Sequence, residues 1–156
     1  MYHDISFAET AQGLLVTEEG RVDQHALKYV TGVMKDLAVP ALMEAYNDPR
    51  LGSQREKTSL LNAALEYTGP NVQANQLFYQ MLTNQTIASG IRAYTVQSLA
   101  GNSQHDPPVD PLVIRSRIDF LESVRSTVTD DRIRRALDST RAELERLLSG
   151  QSPSGS

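Results

Sequence analysis

Apolar residues recur along this chain at spacings of three and four, in blocks separated by Gly, Pro, Asn and Asp. That period puts them on one side of a helix, and no run shows the alternation a strand needs. The spacing predicts a helix over 22–37, capped by Asp23, with Ala26, Leu27, Val30, Val33, Met34 and Leu37 facing inward. Pro40 suits the first turn of a second helix, where its missing N–H costs nothing. That helix runs to Tyr46 and stops at Asn47-Asp48-Pro49. Ser53 or Gln54 opens a third, reaching Tyr67 with Leu60, Leu61, Ala64 and Leu65 inside. Gly69 and Pro70 end it. Ahead of these, a short helix is expected from Ser6 to Val16. Ser6 and Glu9 have capping-box spacing, Gly13 weakens the helix and Gly20 ends it.

From Pro70 to Gly101 the pattern predicts two antiparallel helices around a short polar turn. The first carries Val72, Leu77, Met81 and Leu82 inward, the second Ile91, Tyr94, Val96 and Leu99. Phe78 and Tyr79 are adjacent, so they point to different sides of their helix. Residues 102–110 form a loop and the best hinge. Asp110 then caps a helix opened by Pro111 and running to about Val128, with Ile114, Ile118, Leu121, Val124 and Val128 inside. Thr129 or Asp130 caps the last helix, with Ile133, Ala136, Leu137, Leu144, Leu147 and Leu148 inward and Gly150 at its end. The organisation read from this is an arm (1–21), helical repeats (22–101), a loop (102–110), a helical hairpin (111–148) and a disordered tail (149–156). The fold class is all-α, with six or seven helices.

The middle of the chain repeats itself at an offset of 35. Leu42 meets Leu77, Met43 meets Phe78 and Tyr46 meets Met81; then Lys57 meets Arg92, Leu61 meets Val96 and Ala64 meets Leu99. A helix pair recurring at this period marks an α-solenoid. The segment VPALMEAYNDP (39–49) resembles the first helix and turn of a HEAT repeat, and IRAYTVQSLAG (91–101) resembles the second helix. The turn TNQTIASG lacks the family's Asp-Pro, and Thr58 stands where Ala is common. The resemblance implies a short right-handed α-solenoid of HEAT-like pairs. It also implies a non-catalytic protein-interaction or scaffold module. Three pairs are near the minimum for a solenoid, so a longer repeat protein or homo-oligomer is a natural setting. The alternative is a compact helical bundle, with 111–148 folded back on the first pairs, acting as a regulatory subunit or small-ligand-binding domain.

Composition narrows the chemistry. The absence of cysteine removes disulfides, thiolate metal sites and thiol catalysis. No apolar run is long enough to span a membrane. The N-terminus has no basic run before an apolar stretch, which argues against a signal peptide; a cytoplasmic setting is the expectation. His3, His25 and His105 are scattered, and phosphate-loop, dinucleotide and nucleophile-elbow motifs are missing, so neither catalysis, nor a metal, nor a cofactor is expected.

Charge is uneven. Residues 1–108 hold the whole net charge of −4, while 109–156 balance their arginines against acids. In the last hairpin Arg115/Asp119, Asp138/Arg141 and Arg141/Glu145 suit intrahelical pairs. Arg132, Arg134 and Arg135 form a small basic cluster among Asp130, Asp131 and Asp138, too mixed to predict nucleic-acid binding. Lys57 and Arg92 either brace neighbouring turns or form a basic ladder for an acidic peptide. From Tyr67 to Ile91 there is no charged side chain, and Gln73, Asn75, Gln76, Gln80, Asn84 and Gln85 take the usual places of Lys and Glu. Either this middle helix is packed on both sides by neighbouring repeats, or one side meets a partner, and amides around an aromatic anchor suit such an interface. Gln76, Tyr79, Gln80 and Arg92 are therefore the candidate residues for a protein or peptide partner.

Overall fold

A computed structural model describes residues 10–103 and 109–150. The Ser6–Glu9 capping box, His3, most of the 102–110 loop with His105, and residues 151–156 lie outside the described residues. The chain divides into two compact units, Met1–Tyr67 and Thr68–Ser156. The fold is all-helical. The one pairing of extended backbone among the described residues is an isolated bridge between Val16 and Val22.

The first unit contains α1 (Gln24–Met34), α2 (Val39–Tyr46) and α3 (Gln54–Leu65). Asp23 caps α1, its carboxylate accepting the N–H groups of His25 and Ala26 at 3.0 and 3.1 Å. α1 is shorter than its apolar pattern predicts. Lys35 has φ 56°, and a 3₁₀ turn over Lys35–Ala38 follows. This left-handed residue throws the chain out of helical phase. Leu37, expected inside, is therefore 70% exposed, while Ala38 and Val39 are buried. α2 does carry Pro40 in its first turn, and Ser53 caps α3 by accepting the Glu56 N–H at 3.3 Å. Leu60, Leu61, Ala64 and Leu65 are all buried, as expected.

The helix expected to reach Val16 ends at Gln12. Beyond Gly13 the backbone makes a tight loop instead. Thr17 N–H donates to the Arg21 carbonyl at 2.8 Å, and Asp23 N–H donates to Leu15 at 2.9 Å. Gly20 turns this loop at φ 78°, and a Cβ there would collide with the Arg50 carbonyl. Glu56 ties the loop down. Its carboxylate accepts the Val22 N–H at 2.8 Å, so the capping-box acid of α3 is spent on the loop. Leu15, Val16 and Val22 are buried accordingly.

The second unit contains α4 (Val72–Thr83), α5 (Ser89–Asn102), α6 (Pro111–Arg125) and α7 (Asp131–Gly150). α4 buries Ala74, Leu77, Phe78, Met81 and Leu82. Val72, expected inside, is 68% exposed. On α5 Val96 and Leu99 are buried as expected, but Ile91 and Tyr94 are exposed. One cause covers all three. Val72, Ile91 and Tyr94 each lie five positions before a core residue (Leu77, Val96, Leu99), about 140° away around the helix. The inward places go to Arg92, Ala93, Thr95 and Ala100.

Asp110 and Asp130 are the caps of α6 and α7, accepting from Leu112 at 2.8 Å and from Arg132 at 2.9 Å. α6 stops at Arg125, short of Val128. Even so Val128 is buried with Ile114, Ile118, Leu121 and Val124. α7 buries Ile133, Ala136, Leu137 and Leu144, while Leu147 and Leu148 are half-buried. α7 lies along both α5 and α6. Phe78 of α4 meets Phe120 of α6 edge-on at 5.7 Å. First helix therefore touches first helix, and second touches second. The α6–α7 hairpin is stapled by Arg125 and Asp138, joined by two hydrogen bonds of 2.6 and 3.1 Å. Asp138 thus pairs across the hairpin rather than along α7 with Arg141. Arg141 bridges to Glu122 and, as expected, to Glu145.

The 35-residue offset is visible in burial. α3 begins at Gln54 and α5 at Ser89. Leu60, Leu61, Ala64 and Leu65 correspond to Thr95, Val96, Leu99 and Ala100, all buried. Val39, Leu42 and Tyr46 correspond to Ala74, Leu77 and Met81, also buried. Ala45 breaks the match, because its counterpart Gln80 faces solvent.

Candidate interaction surface

α4 places Gln76, Tyr79 and Gln80 together, since positions i, i+3 and i+4 are neighbours on one helix face. Gln76 and Gln80 are exposed and Tyr79 is half-buried. Phe78, next in sequence, points the other way into the core, 0% exposed. Val72, Gln73 and Thr83 extend the same outer row. Two of the six amides do structural work instead. Asn75 clamps the backbone of Gly69, accepting its N–H at 2.7 Å and donating to its carbonyl at 2.9 Å. Asn84 turns the chain after α4 by accepting the Thr86 N–H at 3.0 Å.

Arg92 does not join this face. It is buried, with Nε donating to the Ile87 carbonyl at 3.0 Å and Nη1 to the Leu82 carbonyl at 2.9 Å. The last carbonyls of a helix have no partners within it, and a cation near them meets the negative end of the dipole. Arg92 therefore braces the end of α4, and its Nη2 lies 3.9 Å from Asp130. Lys57, its counterpart 35 residues earlier, sits over the Tyr46 ring at 5.4 Å, at the end of α2. Each of these bases reaches back to the C-terminal end of its own first helix.

Burial of Arg92 enlarges the uncharged region. In sequence the charge-free run stops at Ile91. Among the exposed residues of α4 and α5 themselves it continues, because Arg92 is the one charged residue between Tyr67 and Ser103. The exposed residues of α5 include Ile91, Tyr94 and Gln97.

Arg117 is the functional-looking group that apolar periodicity passes over. It is 1% exposed, with Nε donating to the Thr68 carbonyl at 2.8 Å and Nη1 to Ser103 Oγ at 2.7 Å. Its spacing from Ile114 and Leu121 did put it on the inward stripe. Gly69 lies against it at φ 112°; a Cβ there would stand 2.8 Å from Arg117 Cγ. These contacts hold the start of α4 to α6, so Arg117 is a structural cation.

Elsewhere the titratable groups are shifted by simple causes. Burial raises the Tyr46 and Tyr67 phenols. Hydrogen bonds from Arg50 and Arg125 lower the carboxyls of Asp48 and Asp138. The recess between the 19–24 loop and α3, about 1040 Å³, is open and polar. It holds Glu19 and Glu56 against Arg21 and Arg55, and Gln24 is hydrogen-bonded to Ser59 within it. Among the described residues no group of three His, Cys, Asp or Glu side chains is placed to hold a metal ion. No helix among them is long and apolar enough to cross a membrane. Comparison with family models, curated proteins and solved structures finds no match to this chain.

Proposed function

We propose that the chain is a non-catalytic protein-interaction module built of HEAT-like helix pairs, and that the outer row of α4 around Gln76, Tyr79 and Gln80 is its contact surface. The observation that carries the reading is the charge-free outer row of α4, with Arg92, the one charged residue of the α4–α5 segment, turned inward. Interface cores are depleted of charge and enriched in Tyr, because burying an ion against a partner costs its hydration. Amide side chains both donate and accept, so they satisfy a partner's backbone without that cost. The repeat reading draws support from the shared burial register, from the matching braces Lys57 and Arg92, and from the like-on-like packing within the second unit.

A photocrosslinking residue at Gln76 tests the contact surface in the protein's own host. The expected result is a defined crosslinked protein band, lost when Gln80→Glu and Tyr79→Ala are added and absent when the crosslinker sits at exposed Glu145. Identical bands from both positions, or none, overturn the reading.

The second reading is a compact regulatory or small-ligand-binding bundle. It draws on α7 lying along both α5 and α6. Small-angle scattering separates the two: an extended, curved envelope favours the array and a globular one the bundle.

A further inference from the structure

The face of α7 next to α5 carries a feature that the amide surface does not explain. A groove of about 540 Å³ runs between these helices, with Tyr94 and Gln97 on one wall and Arg132, Arg135 and Ser139 on the other. No acidic side chain lines it. Arginines of this unit fall into two groups, those with a carboxylate partner and those, such as Arg115, Arg134 and the two guanidiniums of the groove, with no ion pair among the described residues. Arg125, Arg141 and Arg146 all have carboxylate partners. Arg132 and Arg135 make no ion pair among the described residues. Two of the three nearby acids are engaged elsewhere. Asp130 caps α7 and approaches Arg92. Asp138 is held by Arg125. Asp131 lines a separate recess, with Arg134 and the other side of Arg135. Gly90 makes room for Arg132, since a Cβ there would press on its guanidinium at 3.2 Å. Tyr94 stands beside these cations 71% exposed, a large aromatic surface left in water.

We infer that this groove binds an acidic peptide segment. One or two carboxylates of the segment pair with Arg132 and Arg135, the forked donor geometry suiting bidentate contact. An adjacent aliphatic side chain lies on Tyr94. Gln97 and Ser139 are placed on opposite walls to hydrogen-bond an extended backbone. Charge complementarity selects the occupant: the groove offers two unpaired cations and no anion. A nucleic acid fits less well. Firm binding to a polyphosphate rests on many neutralised phosphates, and this groove supplies two cations in a chain of net charge −4. The site is separate from the α4 row, so the two succeed or fail independently.

The test is fluorescence anisotropy on the whole chain with a fluorescein-labelled octapeptide of alternating Glu and Leu. An alternating Lys–Leu octapeptide and a single-stranded oligothymidylate serve as comparisons. Saturable binding of the acidic peptide, weakened about tenfold by raising salt, is expected. The Arg132→Glu/Arg135→Glu variant should lose at least about tenfold in affinity, and Arg146→Glu should lose none. Tyr94→Ala, at an exposed position, should also weaken binding with the circular dichroism unchanged, which keeps the result readable if the double variant unfolds. Absence of saturable binding overturns the inference. So does equal binding by wild type and Tyr94→Ala, or retention of oligothymidylate in place of the peptide.

Discussion

Replacing Arg117 by Met asks whether a buried cation holds the second unit together. Met keeps much of the stem and removes the donors. Hydrogen bonds from a charged group, among them those of 2.8 Å to Thr68 and 2.7 Å to Ser103, are lost. Each such bond contributes about 1.5–3 kcal/mol, and an orphaned buried acceptor costs about 1–3 kcal/mol. Thr68 is 1% exposed, so water has little access to its carbonyl. Ser103 fares better, because its hydroxyl still donates to Leu99 at 2.8 Å. Against these losses stands the desolvation of the guanidinium, several kcal/mol that the variant no longer incurs. The balance is a destabilisation of about 2–3 kcal/mol. Native-state hydrogen exchange read by mass spectrometry measures it unit by unit. Amides of α4 to α7 should exchange at least about thirtyfold faster, and those of the first unit should be unchanged. Arg115→Met, on the exposed side of the same helix, is the control. If Arg117→Met falls within about 0.5 kcal/mol of that control, the guanidinium is not what fixes α4 to α6.

Three further perturbations address other contacts. Gly20→Ala should cost the first unit at least about 2 kcal/mol in urea unfolding, since a positive φ and a collision with Arg50 act together; a smaller loss would mean that the loop shifts freely. Lys35→Gly should stabilise the same unit by about 1 kcal/mol by relieving its left-handed backbone, whereas Lys35→Ala should not, and a gain from both would point to the side chain. Arg125 holds the Asp138 carboxyl below its ordinary value, so the stability it contributes is present above about pH 4 and is lost as pH falls through the lowered pKa. Asp138→Asn should therefore lower the melting temperature near neutrality and flatten its acid decline; an unchanged difference down to about pH 2 would sink the assignment.

Helix starts were legible because their chemistry is local. Asp23, Ser53, Asp110 and Asp130 each accept from the first turn they precede, and Pro40 and Pro111 sit where a missing N–H is harmless. Ends and phases were less legible. Nothing in the residue type of Lys35 signals a positive φ, so the apolar pattern runs on through the turn that ends α1. Apolarity alone points Val72, Ile91 and Tyr94 inward, whereas phase relative to Leu77, Val96 and Leu99 sets them outward. Of the candidate surface, the α4 amides were readable as a gap in charge. The larger extent was not, because a sequence cannot show that Arg92 is inside. Arg132 and Arg135 read as part of a mixed basic cluster; that Asp130 and Asp138 are held by other groups is visible only in the structure.

The inward placement of Arg92 also decides how the molecule meets reagents and enzymes directed at basic residues. Lys28, Lys35 and Lys57 are the chain's lysines, and all three belong to the first unit. Between Lys57 and Arg115 the one site open to trypsin by sequence is Arg92, which is 8% exposed. A folded second unit therefore offers trypsin no accessible cut across α4 and α5. It also offers acylating enzymes and amine-coupling reagents no lysine. Coupling the protein to a surface through its lysines therefore modifies neither the amide row nor the arginine groove.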